Sequence, residues 1–227
     1  MEVDEVIVEL KKLATADHLN KLSHFGIPGD KALGIKLPDL RKLAKRIGKN
    51  QDLGFELWQT DIHEARLLAT MIMDVQLLTD SQYDSLVKDF DSWDMCDCAC
   101  NILQGAAFAR NKIDEYAIRS EEFVKRTAFV LMCQFAVHDK KKPDDFFYPM
   151  LQIIEKEAWD ERNFVRKAVN WALRQIGKRN ENLRRKAIET AERILAQNTK
   201  SARWIAKDAL RELSGPTKPP LKGRLKE

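Results

Sequence analysis

The segment Val124-Lys125-Arg126-Thr127-Ala128-Phe129 is echoed 41 residues later by Val165-Arg166-Lys167-Ala168-Val169-Asn170. Ala202-Arg203-Trp204-Ile205-Ala206 echoes it again after a further 37 residues, and Glu64-Ala65-Arg66-Leu67-Leu68-Ala69 is an earlier relative. A two-helix unit recurring about every 40 residues is the signature of HEAT and armadillo arrays. One such unit cannot bury its apolar face alone, so neighbours must stack. The repeat therefore restricts the chain to an all-α solenoid of stacked antiparallel helix pairs.

Apolar periodicity and its breakers predict helices over 3–15, 17–24, 38–48, 51–59, 63–73, 80–90, 92–107, 111–118, 120–138, 144–157, 162–179, 181–197 and 200–213. Proline in a first turn marks the openings at Leu37-Pro38-Asp39 and Lys142-Pro143-Asp144. Asp91-Ser92-Trp93-Asp94 reads as a cap followed by an acid three residues on. Val6-Ile7-Val8 hints at a strand, but Val3, Val6, Ile7 and Leu10 share one helical face. Residues 1–214 are expected to form a single repeat domain. The end, 215–227, carries three prolines and four basic residues and is expected to be a flexible basic tail.

Composition excludes several classes. Charged residues make up 33% and hydrophobic ones 44% of 227, which suits a globular chain. No run of 18 apolar residues offers a membrane span, and the acidic start Met1-Glu2-Val3-Asp4-Glu5 is unlike a signal peptide. A cytoplasmic protein with no membrane partner is expected. Cys96, Cys98, Cys100 and Cys133 form no disulfide framework, and on a helix Cys98 points away from Cys96 and Cys100. Without a neighbouring histidine they read as thiols of core or surface rather than zinc ligands. No metal or cofactor is expected, and no glycine-rich phosphate loop is present.

Charge is unevenly spread. Residues 1–100 carry a net −6, whereas 162–227 hold 18 basic residues against six acidic ones, a net +12. A basic end of this kind commonly meets phosphate, although a solvated helical surface would look the same.

Three helices break the core pattern. In 92–107 the apolar stripe is Met95, Ala99, Ile102, Leu103 and Ala106, while Trp93, Asp97, Asn101 and Gln104 lie opposite. Trp93 and Asp97 are one turn apart and lie side by side; the ring suits either a helix seam or a ligand. In 162–179 Trp171 shares a face with Lys167, Arg174 and Lys178. That arrangement suits nucleic acid, and equally arginine stems covering a ring. In 120–138 the run Thr127–Val137 is apolar nearly all round, which places this helix at the centre. Arg126 near its start opposes the helix dipole, so it either pairs with a carboxylate, Glu122 being one turn away, or meets an anionic ligand.

Taken in order, several of these segments resemble one family. Ser92-Trp93-Asp94-Met95-Cys96-Asp97 resembles the Trp-Asp-x-x-Asp segment of the AlkD-like DNA alkylation repair glycosylases. Phe123-Val124-Lys125-Arg126 and Asn163–Arg174 resemble the next two signatures, and Leu33–Pro38 and His63–Arg66 the earlier repeats. The likeness spans residues 24–213. Two features depart from the best-studied branch: its longer aromatic-rich segment is here Lys21–Phe25, and its tandem tryptophans are here Ser92-Trp93.

The resemblance implies a HEAT-like fold that clasps duplex DNA carrying alkylated bases, and excision of cationic N3- or N7-alkylated purines. It makes Asp97 the reaction carboxylate, places Trp93 and Trp171 against the damaged nucleotide, and gives Arg126 the backbone. The basic stripe of Lys167, Arg174 and Lys178 would add phosphate contacts. No obligate protein partner is implied, and a monomer is expected. An alkylated purine already carries positive charge and leaves without a general acid, so one carboxylate suffices, unlike the pair of sugar hydrolases. The alternative is a noncatalytic helical-repeat module that binds DNA or scaffolds proteins.

Overall fold

Amphipathic segments cut by proline, glycine and short polar turns become helices. In the computed structural model, which describes residues 1–24, 27 and 29–215, all regular structure among the described residues is helical. The helices are α1 Val3–Leu13, α2 Ala16–His24, α3 Leu37–Ile47, α4 Gln51–Gln59, α5 His63–Ile72, α6 Asp80–Lys88 and α7 Trp93–Leu103. They continue with α8 Ala109–Ala117, α9 Glu122–His138, α10 Tyr148–Glu157, α11 Asn163–Gly177, α12 Glu181–Ala196 and α13 Lys200–Leu213. The fold is thus all-α, as the repeat requires. The expected basic tail lies outside the described residues beyond Gly215, as does Phe25.

The described residues fall into two compact units, Met1–Gln134 and Phe135 onward. In the first, α3 packs on α5 and α5 on α7, while α4 lies against α5. Val6 and Leu10 of α1 are buried, so Val6-Ile7-Val8 is helical for the reason its spacing gave. Every residue from Val124 to Gln134 is buried, including Lys125, Arg126 and Thr127. In the second unit α11 packs on α12 and α13, and α10 on α12. Its core holds Val165, Ala168, Val169, Ala172 and Ile176, the stripe expected of this helix.

Two elements differ from the sequence expectation. The segment 144–157 is a 3-10 turn, Asp144–Phe146, followed by α10. The Asp144 carboxylate accepts from Asn180 Nδ2 at 2.7 Å and Asn182 Nδ2 at 2.8 Å, and Phe147 is fully buried with the Arg179 guanidinium 4.3 Å above its ring. These tertiary anchors fix the start of the segment. Helix α7 stops at Leu103, before the expected 107. Beyond it a Cβ on Gly105 would press Val75 Cγ1 at 3.1 Å, so the chain there lies close against the 75–76 turn.

The connection into α3 is held by a buried carboxylate. Glu64 in the first turn of α5 accepts from the backbone N–H groups of Leu33 and Gly34, each at 2.7 Å, and of Ile35 at 3.0 Å. Gly34 sits at φ +76°, and its carbonyl accepts from Thr15 Oγ1 at 2.9 Å. A Cβ there would overlap the Thr15 carbonyl and lie 2.6 Å from Leu19 N, so glycine is required by both φ and space. Gly34→Ala should therefore lower stability by at least ~2 kcal/mol, the sum of left-handed strain and displaced backbone. Urea unfolding of the two proteins measures this, and an unchanged midpoint would contradict it.

Candidate functional site

The Trp93–Asp97 turn stands at the start of α7, and the neighbouring elements build a site around it. Ser92 is the N-cap residue but makes no side-chain cap bond, so the expected cap does not form. Asp94 turns instead toward α5, where its Oδ2 lies 2.9 Å from Nε2 of the buried His63. Burial opposes the histidine's charge, but the Asp94 carboxylate beside it holds its pKa above the usual value. Burial likewise works against Asp94, and His63 holds its carboxyl below the usual range. The pair ties α5 to α7, each member favouring the other's ionised form.

Asp97 faces α9. Arg126 Nε donates to its Oδ1 at 3.1 Å, and Nη2 donates to Oδ1 at 2.8 Å and Oδ2 at 3.0 Å. The side chains are 6% and 21% exposed for Arg126 and Asp97, so the pair is shielded yet the carboxylate keeps an edge to solvent. Burial pushes the Asp97 carboxyl up, and Arg126 opposes that rise. A guanidinium engaging both oxygens is the geometry of an ionised carboxylate. The sequence left Arg126 open between a carboxylate such as Glu122 and an anionic ligand; the structure gives it Asp97, 29 residues back.

Trp93 is half-buried and packs on the cluster of Leu22, Ile27 and Ala32. Trp93 and Asp97 line one wall of a cavity of about 280 Å³, together with Asp94 and Cys98 of α7. Its other walls are His18 and Leu22 of α2, Ile27, Ile35, Leu37, and His63, Glu64 and Leu67 of α5. The ring is therefore both seam and cavity wall, and the cavity itself was not legible from the sequence. Cys98 looks into it with its thiol pushed up to about 12 by burial, while Cys96, Cys100 and Cys133 are buried thiols. The cavity thus combines an apolar lining with Asp94 and Asp97 on the α7 wall and His63 and Glu64 on the α5 wall.

The remaining expected residues lie in the second unit, on α11. Lys167 and Lys178 are exposed, and Trp171 and Arg174 half-buried, along one stripe. With the Gln175 amide turned so that its oxygen faces the ring, Trp171 Nε1 donates to it at 2.9 Å. Arg174 is paired with Glu212 of α13 and lies 3.5 Å from Asp208, and Lys178 Nζ reaches Glu212 at 2.8 Å. Burial works against the Glu212 charge, but the two cations hold its carboxyl below the usual range. Lys167 has no ion pair among the described residues. The sequence also passed over Arg166, whose guanidinium lies 5.1 Å from the Trp204 ring centre.

The fold and the site define a HEAT-like helical-repeat protein with a guanidinium-bound carboxylate and a tryptophan at one cavity. The family model of the DNA alkylation repair enzyme matches residues 6–213, and the chain belongs to that family. A solved structure is similar at 19% identity and a TM-score of 0.77, with 93% of this chain and 95% of that one covered. It comes from a family described as related to the HEAT-like repeat DNA glycosylases, with affinity for branched DNA structures. A comparison with curated proteins returns no match. No helix among the described residues is long and apolar enough to cross a membrane.

The His63–Asp94 tie predicts a pH signature. A histidine whose folded pKa is raised adds stability that is fully present below its unfolded value of about 6.5. That stability is lost as pH rises through the higher folded value. The stability difference between the protein and His63→Gln should therefore be larger at pH 5.5 than at pH 8.5. Guanidinium titrations at both pH values check this, and an equal difference would contradict it.

Proposed function

We propose that this chain is a DNA glycosylase that releases cationic N3- and N7-alkylated purines from duplex DNA. The observation that carries the reading is that Trp93 and Asp97, the latter held by Arg126, share one wall of a cavity in a chain of the DNA alkylation repair enzyme family. In this reading the N-glycosidic bond breaks with its electron pair going to the base, which neutralises the ring's positive charge. Asp97 stabilises the positive sugar left behind, and water adds at the anomeric carbon, losing a proton to the carboxylate or to solvent. Arg126 fixes the carboxylate's orientation so that little reorganisation accompanies the reaction. Trp93, on the cavity wall, offers a π-face to the cationic base, worth about 0.5–2 kcal/mol depending on desolvation.

Lys167 contributes most directly to phosphate binding, since Arg174 and Lys178 already share Glu212. Base-release assays should therefore yield 7-methylguanine or 3-methyladenine from methylated duplex and negligible uracil from a uracil-containing one. Uracil leaves poorly without a proton donor. Efficient uracil release would sink the mechanism. DNA affinity should fall steeply with salt as counterions are displaced from phosphate. Lys167→Ala should weaken damaged and undamaged duplexes alike, and by more than Lys178→Ala. Fluorescence anisotropy across a salt series tests this, and a flat salt profile would contradict the surface.

A second reading is a noncatalytic DNA-binding protein of the same fold. It is favoured by the engagement of both Asp97 oxygens with Arg126, which suits a purely structural pair, and by the branched-DNA affinity described for the similar structure's family. Salt-dependent binding with no base release from any methylated substrate would select it.

A further inference from the structure

Helix α13 carries a basic crest with one aromatic ring at its edge. Lys200, Arg203, Lys207 and Arg211 recur along one face and are all exposed. Arg211 is paired with Asp208, and Arg203 Nη1 donates to the carbonyl and side-chain oxygens of Asn198 at 2.9 and 2.8 Å. Lys200 and Lys207 have no ion pair among the described residues. Trp204 stands between this crest and α11 and is 38% exposed. An exposed tryptophan on the last helix is not spent on the core, whose contribution from α13 is Ala202, Ile205, Ala206, Ala209 and Leu213.

The Trp204 ring meets α11. Arg166 of α11 sets its guanidinium 5.1 Å from the ring centre, and Lys167 is its exposed neighbour in sequence. The result is a propped ring, bordered by cations from two helices. The acidic residues nearest in the seam, Asp208 and Glu212, are taken up by Asn170, Arg174, Lys178 and Arg211. A flat ring in a basic border suits a ligand that is both anionic and aromatic. Bases inside a duplex already stack on one another, so such a ring meets a base face only where a nucleotide is unpaired.

We propose that Trp204, with Arg166 over its ring and Lys200 and Lys207 one turn away on the same face of α13, is a stacking platform for an unpaired nucleotide of DNA. The inference rests on the reading that the chain binds DNA and adds a contact outside the Trp93–Asp97 cavity. The lysines neutralise the phosphates flanking the stacked base, and the ring holds the base whatever its identity. The platform therefore discriminates single-stranded from paired DNA and not sequence from sequence.

The test compares the full chain with Trp204→Ala and Trp204→Phe on a fluorescein-labelled single-stranded oligothymidine and a blunt duplex of equal length. Circular dichroism checks that each variant is folded. Trp204→Ala should weaken single-strand binding about tenfold, equivalent to ~1.4 kcal/mol, while duplex affinity changes less than twofold. Trp204→Phe, which keeps an aromatic face, should recover most of the loss. Equal single-strand binding by the protein and Trp204→Ala would overturn the platform while leaving the DNA reading intact. An equal loss on both DNAs would also overturn it, since the ring would then be a general contact. Failure of the unsubstituted protein to bind either DNA would overturn the DNA reading itself.

Discussion

The ion pair between Asp97 and Arg126 is the contact on which the first unit's site depends. Removing two charges from water is costly, and their attraction offsets this only when both are well hydrogen-bonded. Here the guanidinium donates to both carboxylate oxygens, with three donor–acceptor distances between 2.8 and 3.1 Å. The pair fixes the α7 turn against α9 and so sets where Trp93 stands beside the cavity. Asp97 alone of the two keeps an appreciable edge to solvent.

The same device recurs along the first unit. His63 meets Asp94, Trp58 Nε1 donates to Asp89 at 2.9 Å, Cys96 lies 3.4 Å from Thr127, and the buried Lys112 reaches Asp80 and Asp84 at 2.8 Å each. Each contact ties one helix pair to the next, with partners about thirty residues apart. In the second unit the ion pairs between α11 and α13, Arg174 and Lys178 with Glu212, are more exposed. Exposed pairs contribute little to stability and can be exchanged for others at small cost. Arg126 is by contrast largely buried in its pair with Asp97.

Helix periodicity made most of this architecture legible in the sequence, because apolar stripes such as Val165, Ala168, Val169, Ala172 and Ile176 admit one buried face. The all-apolar run of α9 marked the core for the same reason. The side-chain partners were harder to read. Local spacing pointed Arg126 at Glu122, one turn away, whereas its carboxylate is 29 residues back. His63 and Glu64 looked bland because their roles are tertiary: one binds Asp94 and the other gathers three backbone amides of the 33–35 connection. The cavity was invisible for a related reason, since its walls come from α2, α3, α5, α7 and the connection between α2 and α3. Trp93 and Asp97, being neighbours on one helical turn, were the part of the site that spacing alone could find.

A structural Asp97 and a reacting Asp97 differ in one observable. Replacing the carboxylate by its neutral isostere in Asp97→Asn preserves shape and a hydrogen-bonding oxygen for Arg126, but removes the charge that the proposed mechanism uses. The direct measurement is the single-turnover rate of 7-methylguanine release from duplex DNA at saturating protein, alongside duplex affinity and a melting curve. The account predicts a folded variant that binds DNA within about twofold of the unsubstituted protein and releases base at least ~100-fold more slowly, the scale of losing one preorganised electrostatic group. A folded Asp97→Asn protein that releases the base at an unchanged rate would contradict it.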